Sequence, residues 1–237
     1  VLTLVGVGHV FDLARQVREV ILSRRPSVVG LELDRARFAA LQQGGRRGGP
    51  PLYFLLSVFQ KRVADMYGGS VGDEMLAAAQ AAKDVGARVA LLDRDSLEMF
   101  RAWMGGMPVR ERLKFFASLF TSLFVTKERV EAELAKYDAD QAGYLEVFAQ
   151  ELPHSKKVLI DDRNAHMAAE LRSLLAVTDR VVAVVGDGHI EGIRRHLADV
   201  PLEVIPLRVL RSGSPPPAPA TGDGQGVTFS YDVGGGT

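Results

Sequence analysis

The stretch LTLVGVGHVFDLARQV at residues 2–17 returns in outline as VAVVGDGHIEGIRRHL at residues 182–197. Set one above the other, 180 residues apart, Val5 and Val185, Gly6 and Gly186, Gly8 and Gly188, His9 and His189, and Arg15 and Arg195 coincide. Each copy opens on a short run that is apolar nearly throughout, as a strand covered on both faces is. A Gly-x-Gly-His turn follows, and then a helical pattern. Glycine is expected where a strand turns sharply into a helix, because it tolerates positive φ and lets neighbouring backbone approach. Each His then stands beyond the carboxyl end of its strand, where ligands bind in open α/β sheets.

Reading outward, further apolar runs predict strands at 1–5, 27–33, 88–92, 180–185 and 202–207. Helical patterns separate them. Val10, Leu13, Val17, Val20 and Ile21 share one face, with Arg15, Arg18 and Glu19 opposite, and Pro26 ends the helix. The alternation predicts an α/β fold: a mixed or parallel central sheet flanked by helices, with two related strand–GxGH–helix units. Residues 42–51 are a loop by their Gly and Pro content. No strand is legible from 97 to 151, where helices at 110–125, 127–136 and 141–151 read as an insertion that roofs a site. The α/β domain is expected to span 1–211, followed by a Pro- and Gly-rich tail at 212–237. Within the tail, residues 227–233 alternate apolar and polar, which predicts a strand docked on a sheet edge, of this protomer or a second one, or in the cleft. A homodimer is the favoured assembly.

Composition closes off several classes. Lys plus Arg and Asp plus Glu both number 29 in 237 residues, so no net field is available to hold a nucleic acid. Cysteine is absent, which removes disulfides, thiol nucleophiles and zinc–thiolate sites, and leaves His, Asp and Glu to hold any metal. No apolar run reaches the roughly 18 residues of a membrane helix, and no signal peptide opens the chain. The expected location is cytoplasmic or membrane-associated, with any anchor outside this stretch.

The turn does not fit a dinucleotide fingerprint, because Phe11 and Glu191 stand where the third glycine belongs, and neither copy supplies the Lys-Ser/Thr of a phosphate loop. A lone His is more often an ordinary half-buried residue; two at equivalent positions favour chemistry. Glu32 ends an apolar strand, where an ionised side chain needs a cation or hydrogen bonds. Asp93 ends another and is followed by Arg94, so an ion pair and a ligand role compete there. Two imidazoles and a carboxylate with an open position match a catalytic metal site. Asp161 and Asp162 are expected to cap the helix at 166–175. Arg163 is available to anchor a carboxylate or an oxyanion. His154 and His196 read as surface residues.

GVGHV at 6–10, GLELDRAR at 30–37, LLDRD at 91–95, DRNAHM at 162–167 and VVGDGHIEGI at 184–193 resemble the TraB/PrgY family. That family is related to the Tiki metalloproteases and GumN proteins and, more remotely, to the erythromycin esterase and ChaN group. The Tiki branch implies a divalent-metal-dependent peptidase, which here would use His9, Glu32 and His189 with Arg163 as a site arginine. The TraB/PrgY branch implies shutdown of a peptide pheromone. Val7 and Gly8 depart from the usual Gly-Thr-x-His of the first motif, and Asp162 stands where Glu is common. The expectation is a metal-dependent hydrolase acting on a peptide with Mn, Co or Zn. Glu32 is either ligand or general base; Asp93, Asn164, Gly6, Gly8, Gly186 and Gly188 are expected to contact substrate or support the ligands. The rival expectation is a non-catalytic peptide-binding or membrane-associated regulator, and haem binding is a third.

Overall fold

The apolar runs assemble into one sheet. In the computed structural model, which describes residues 1–8, 11–44, 72–122, 126–213 and 229–230, the strands are β1 (Leu2–Val7), β2 (Val28–Leu31), β3 (Arg88–Leu91), β4 (Val181–Gly186), β5 (Leu202–Ile205) and β6 (Phe229–Ser230). Their order is β3-β2-β4-β1-β5-β6, and every pairing is parallel, which settles the choice between a mixed and a parallel sheet. All the carboxyl ends therefore lie along one edge. His9, most of the glycine-rich loop and most of the tail lie outside the described residues.

β1 and β4, the strands of the internal repeat, are neighbours. Their register pairs Val5 with Val184 and Val7 with Gly186, one residue off the alignment that matches the two sequences. Since side chains alternate along a strand, that slip sends equivalent residues to opposite faces. Val5 and Val184 join one core cluster, with Val17, Val20 and Ile21 of helix α1 (Ala14–Arg24) and Met75 and Ala78 of α3 (Asp73–Asp84). Val185 joins the other, with Met167 and Leu171 of α9 (Asp162–Leu175) and Ile190, Ile193 and Leu197 in or just after α10 (Asp187–His196). The two strand–turn–helix units are thus related by a half-turn about the strand direction with a one-residue shift. Each helix covers its own face of the sheet.

α1 ends as expected at Pro26. Arg25 takes the left-handed conformation, φ 43°, and its N–H reaches back to the Ile21 carbonyl. Helix α2 (Arg35–Gln42) is capped by Asp34, whose carboxylate accepts the Arg37 N–H.

The stretch after β3 is helical, as α4 (Ser96–Gly106), α5 (Val109–Ser122), α6 (Lys127–Ala139), α7 (Gln141–Glu151) and the short α8 (Pro153–Lys156). It carries a small core of its own, Trp103, Met107 and Val158 with Phe115 edge-on to the indole. The buried Glu111 carboxylate accepts the N–H groups of His154 and Ser155 at the start of α8, and Trp103 Nε1 donates to Ser155 Oγ. His154 is half-buried with its ring against the Trp103 carbonyl, so it is not the surface residue that sequence suggests; His196 is exposed.

A π-helical turn (Lys157–Asp161) joins α8 to α9, which begins at Asp162, four residues before the expected start. Asp161 and Asp162 do not cap it. They pair with Lys156 and Lys157, five residues back, the spacing that a π turn brings onto one face. The last short helix is α11 (Leu207–Arg211), and β6 pairs along the outer edge of β5. Among the described residues no helix is long and apolar enough to cross a membrane.

Candidate functional site

Four elements deliver charged or polar groups to the carboxyl edge of the sheet. Glu32 follows β2 directly, Asp93 lies just beyond β3, His189 is in the first turn of α10 after β4, and Arg163 and Asn164 come from the first turn of α9. All five are buried. A guanidinium at the centre explains how two carboxylates can be.

Arg163 presents five N–H donors, and each has an acceptor. Nε donates to Asp93 Oδ1 at 3.0 Å, Nη2 to Asp93 Oδ2 at 2.7 Å and to Glu32 Oε1, and Nη1 to the Leu159 carbonyl at 3.2 Å and His189 Nε2 at 3.0 Å. Burial alone disfavours the cation, but Glu32 and Asp93 outweigh it and push Arg163 above the ordinary arginine range. The Leu159 carbonyl belongs to the π turn, so the irregular backbone completes the set. Asp93 also accepts from Arg37 Nη1 at 3.1 Å and from the Arg94 backbone N–H at 2.9 Å. Its arginine partners are therefore Arg163 and Arg37, while Arg94, the neighbour that sequence offers, supplies a main-chain donor.

The arginine contact also assigns the protons of His189. An N–H of Arg163 can bond Nε2 only if that nitrogen carries a lone pair, so the ring proton sits on Nδ1 and is donated to Asn164 Oδ1 at 2.7 Å. Asn164 reaches the ring because α10 has Gly192 opposite it: a Cβ there would lie 1.9 Å from Asn164 Nδ2. Glu32 is held from its other side, where Oε2 accepts the N–H of Gly186.

Gly6 and Gly8 have steric reasons. A Cβ on Gly6 would stand 2.3 Å from Asp187 Oδ1, and one on Gly8 would press on the Phe11 ring. At Gly188 there is no such crowding, since a Cβ would lie 3.8 Å from the Tyr137 hydroxyl, an ordinary contact. Asp187 itself ties three parts together, accepting the Leu207 N–H at 2.8 Å and the Tyr137 hydroxyl at 3.2 Å. Through Tyr137 of α6, the inserted helices touch the turn after β4.

Of the expected site residues, Glu32, Asp93, Arg163, Asn164 and His189 form one hydrogen-bonded cluster, and Gly186 donates into it. His9 lies outside the described residues. Arg37, Asp187, Tyr137 and Gly192 were missed. The acid between the glycines of the second turn was a signal for Asp187, and GLELDRAR contains Arg37; no pattern marks Tyr137.

Among the described residues, no group of three or more His, Asp and Glu side chains converges as a metal centre. His189 Nε2 and Glu32 Oε1 are 3.4 Å apart, a spacing that two ligands sharing one ion with bonds of about 2.1 Å adopt. The Nδ1–H bond to Asn164 is the support a ligating imidazole usually has. Both atoms also meet Arg163, so a cation between them would compete with the guanidinium.

The chain is 29% identical over 208 residues to the uncharacterized protein MJ1365 of Methanocaldococcus jannaschii, an alignment that covers 82% of this chain and 52% of that protein. It thus spans about half the length of that relative. The model of the TraB/PrgY/gumN family matches residues 2–200, from the first repeat strand to just beyond the last helix of the site, and the chain belongs to that family.

Proposed function

We propose that the chain is a metal-dependent hydrolase acting on a peptide, with Glu32, His189 and His9 as the groups that hold the ion. The observation that carries this reading is the oriented imidazole: Nδ1–H donates to Asn164 Oδ1, and Nε2, which accepts from Arg163, stands 3.4 Å from Glu32 Oε1. A bound Mn, Co or Zn ion would supply an acidified water and a polarised scissile carbonyl. The chain's own groups divide the remaining work. Glu32, fixed through Oε2 by the Gly186 N–H, has Oε1 at the reaction side to bind or to take a proton. Arg163 is the counter-charge to that buried carboxylate, and Asp93 holds the guanidinium in place from its other side. The inserted helices, tethered through Tyr137, form a wall beside the edge. Peptide pheromones are a substrate class that the family resemblance adds.

A second reading has its own observation. Arg163 already occupies the facing atoms of Glu32 and His189, which suits a peptide-binding regulator without turnover. The experiment is metal analysis of protein purified without chelator, then a peptide-library cleavage assay with added Mn or Co. Hydrolysis that Glu32→Gln and His189→Ala each abolish supports the enzyme. Folded protein that takes up no ion and cleaves nothing sinks it, and peptide binding under those conditions selects the regulator.

A further inference from the structure

The cation that sequence offers for substrate recognition, Arg163, has nothing left to offer. Its five donors meet Asp93, Glu32, Leu159 and His189 within the protein, and an anion could take them only by breaking the cluster. Arg37 differs. Its backbone is pinned in the first turn of α2 by Asp34, and its guanidinium is steadied by a single bond, Nη1 to Asp93 Oδ2 at 3.1 Å. The side chain is 32% exposed, and no described group takes its Nε or Nη2 hydrogens. A planar fork held from one side and open on the other suits a carboxylate.

We propose that Arg37 is the docking group for a carboxylate of the substrate, the free C-terminus or an acidic side chain of a peptide. The position sets a register, a step that rests on the hydrolase reading. Arg37, Asp93, Arg163 and Glu32 are linked by three consecutive hydrogen bonds that share atoms. Arg37 thus lies no more than about 9 Å from Glu32, three hydrogen-bond lengths end to end. An extended peptide advances about 3.3–3.6 Å per residue. A C-terminal carboxylate on Arg37 places the last or last-but-one peptide bond beside Glu32 and His189, so hydrolysis would release one or two residues, whereas an acidic side chain there would set the cut within about two residues of itself.

The test needs no turnover. The full chain, labelled with ¹⁵N-arginine, is titrated with N-acetyl-trialanine as the free acid, with the same peptide as its C-terminal amide, and with the amide carrying aspartate at its second position. The expected result is a saturable shift of the Arg37 Nε–H resonance with the free acid at an affinity about tenfold or more above the plain amide. Comparable binding of the aspartyl amide assigns a side-chain carboxylate as an equal ligand; weak binding assigns the C-terminus. Arg37→Gln should remove the preference and Arg37→Lys restore part of it, both with an unchanged unfolding midpoint. Equal binding of acid and amide, binding of neither, or a preference that survives Arg37→Gln overturns the proposal. A chain that keeps the acid preference yet hydrolyses nothing retains this subsite and loses the hydrolase reading.

Discussion

A methyl group added at Gly192 reports on how the imidazole is held. The Cβ would stand 1.9 Å from Asn164 Nδ2 and 2.5 Å from Cγ, so the amide has to leave its place beside His189. Gly192→Ala is expected to cost about 1–3 kcal/mol in urea unfolding and to change the His189 ring resonances. Removing the central cation should cost more. Arg163→Met strands Glu32 and Asp93 as buried carboxylates, and about 3–5 kcal/mol is the expected loss in the same assay. A loss under 1 kcal/mol would mean that Arg37 or solvent neutralises them instead. That Glu32, Asp93 and Arg163 are special is legible in sequence, because a charge at the end of an apolar strand demands a counter-charge. Which residue answers which was not, since Arg163 lies 131 residues from Glu32 and 70 from Asp93 along the chain. Saturation of all five Arg163 donors depends on the Leu159 carbonyl, and no side-chain pattern reports a main-chain acceptor.

At the scale of elements, Glu111 makes a prediction about acid. Burial would raise its carboxyl pKa, but the Ser155 hydroxyl and the N–H groups of Ser155 and His154 outweigh burial and hold it below the ordinary 4.5. A depressed folded-state value means that the bond between α5 and α8 contributes fully above pH 4.5 and is lost as pH falls through the lower value. Acid should therefore loosen the inserted helices, read from Trp103 fluorescence because the indole bonds Ser155. Glu111→Gln should flatten that pH dependence. Strand limits were readable to within a few residues, because strands buried on both faces are unbroken apolar runs. The start of α9 was not, because acids in a first turn read as caps when the turn is taken to be α-helical. The π turn that aligns Lys156 with Asp161 and Lys157 with Asp162 has no such signature.

For the whole molecule, the α/β class followed from the alternation of strands and helices, but neither the all-parallel order nor the half-turn between the repeat copies did: aligned sequences carry no register, and one residue of slip decides which face each helix covers. Truncation after residue 213 removes β6 and should leave cooperative unfolding intact while amide exchange quickens along β5, since both main core clusters lie within the earlier elements. Truncation after residue 178 should abolish the transition, because β4 and β5 are then missing on both sides of β1; a sharp melt by circular dichroism would contradict this. The strand order also bears on biosynthesis. Among the described residues, β1 pairs with β4 and β5, strands drawn from residues 181–205 that are made long after it. At about 5–20 residues per second, translation leaves the apolar β1 waiting roughly 10–40 s for either partner. The nascent chain has to be shielded over that interval, and slowing elongation should raise its demand for chaperones.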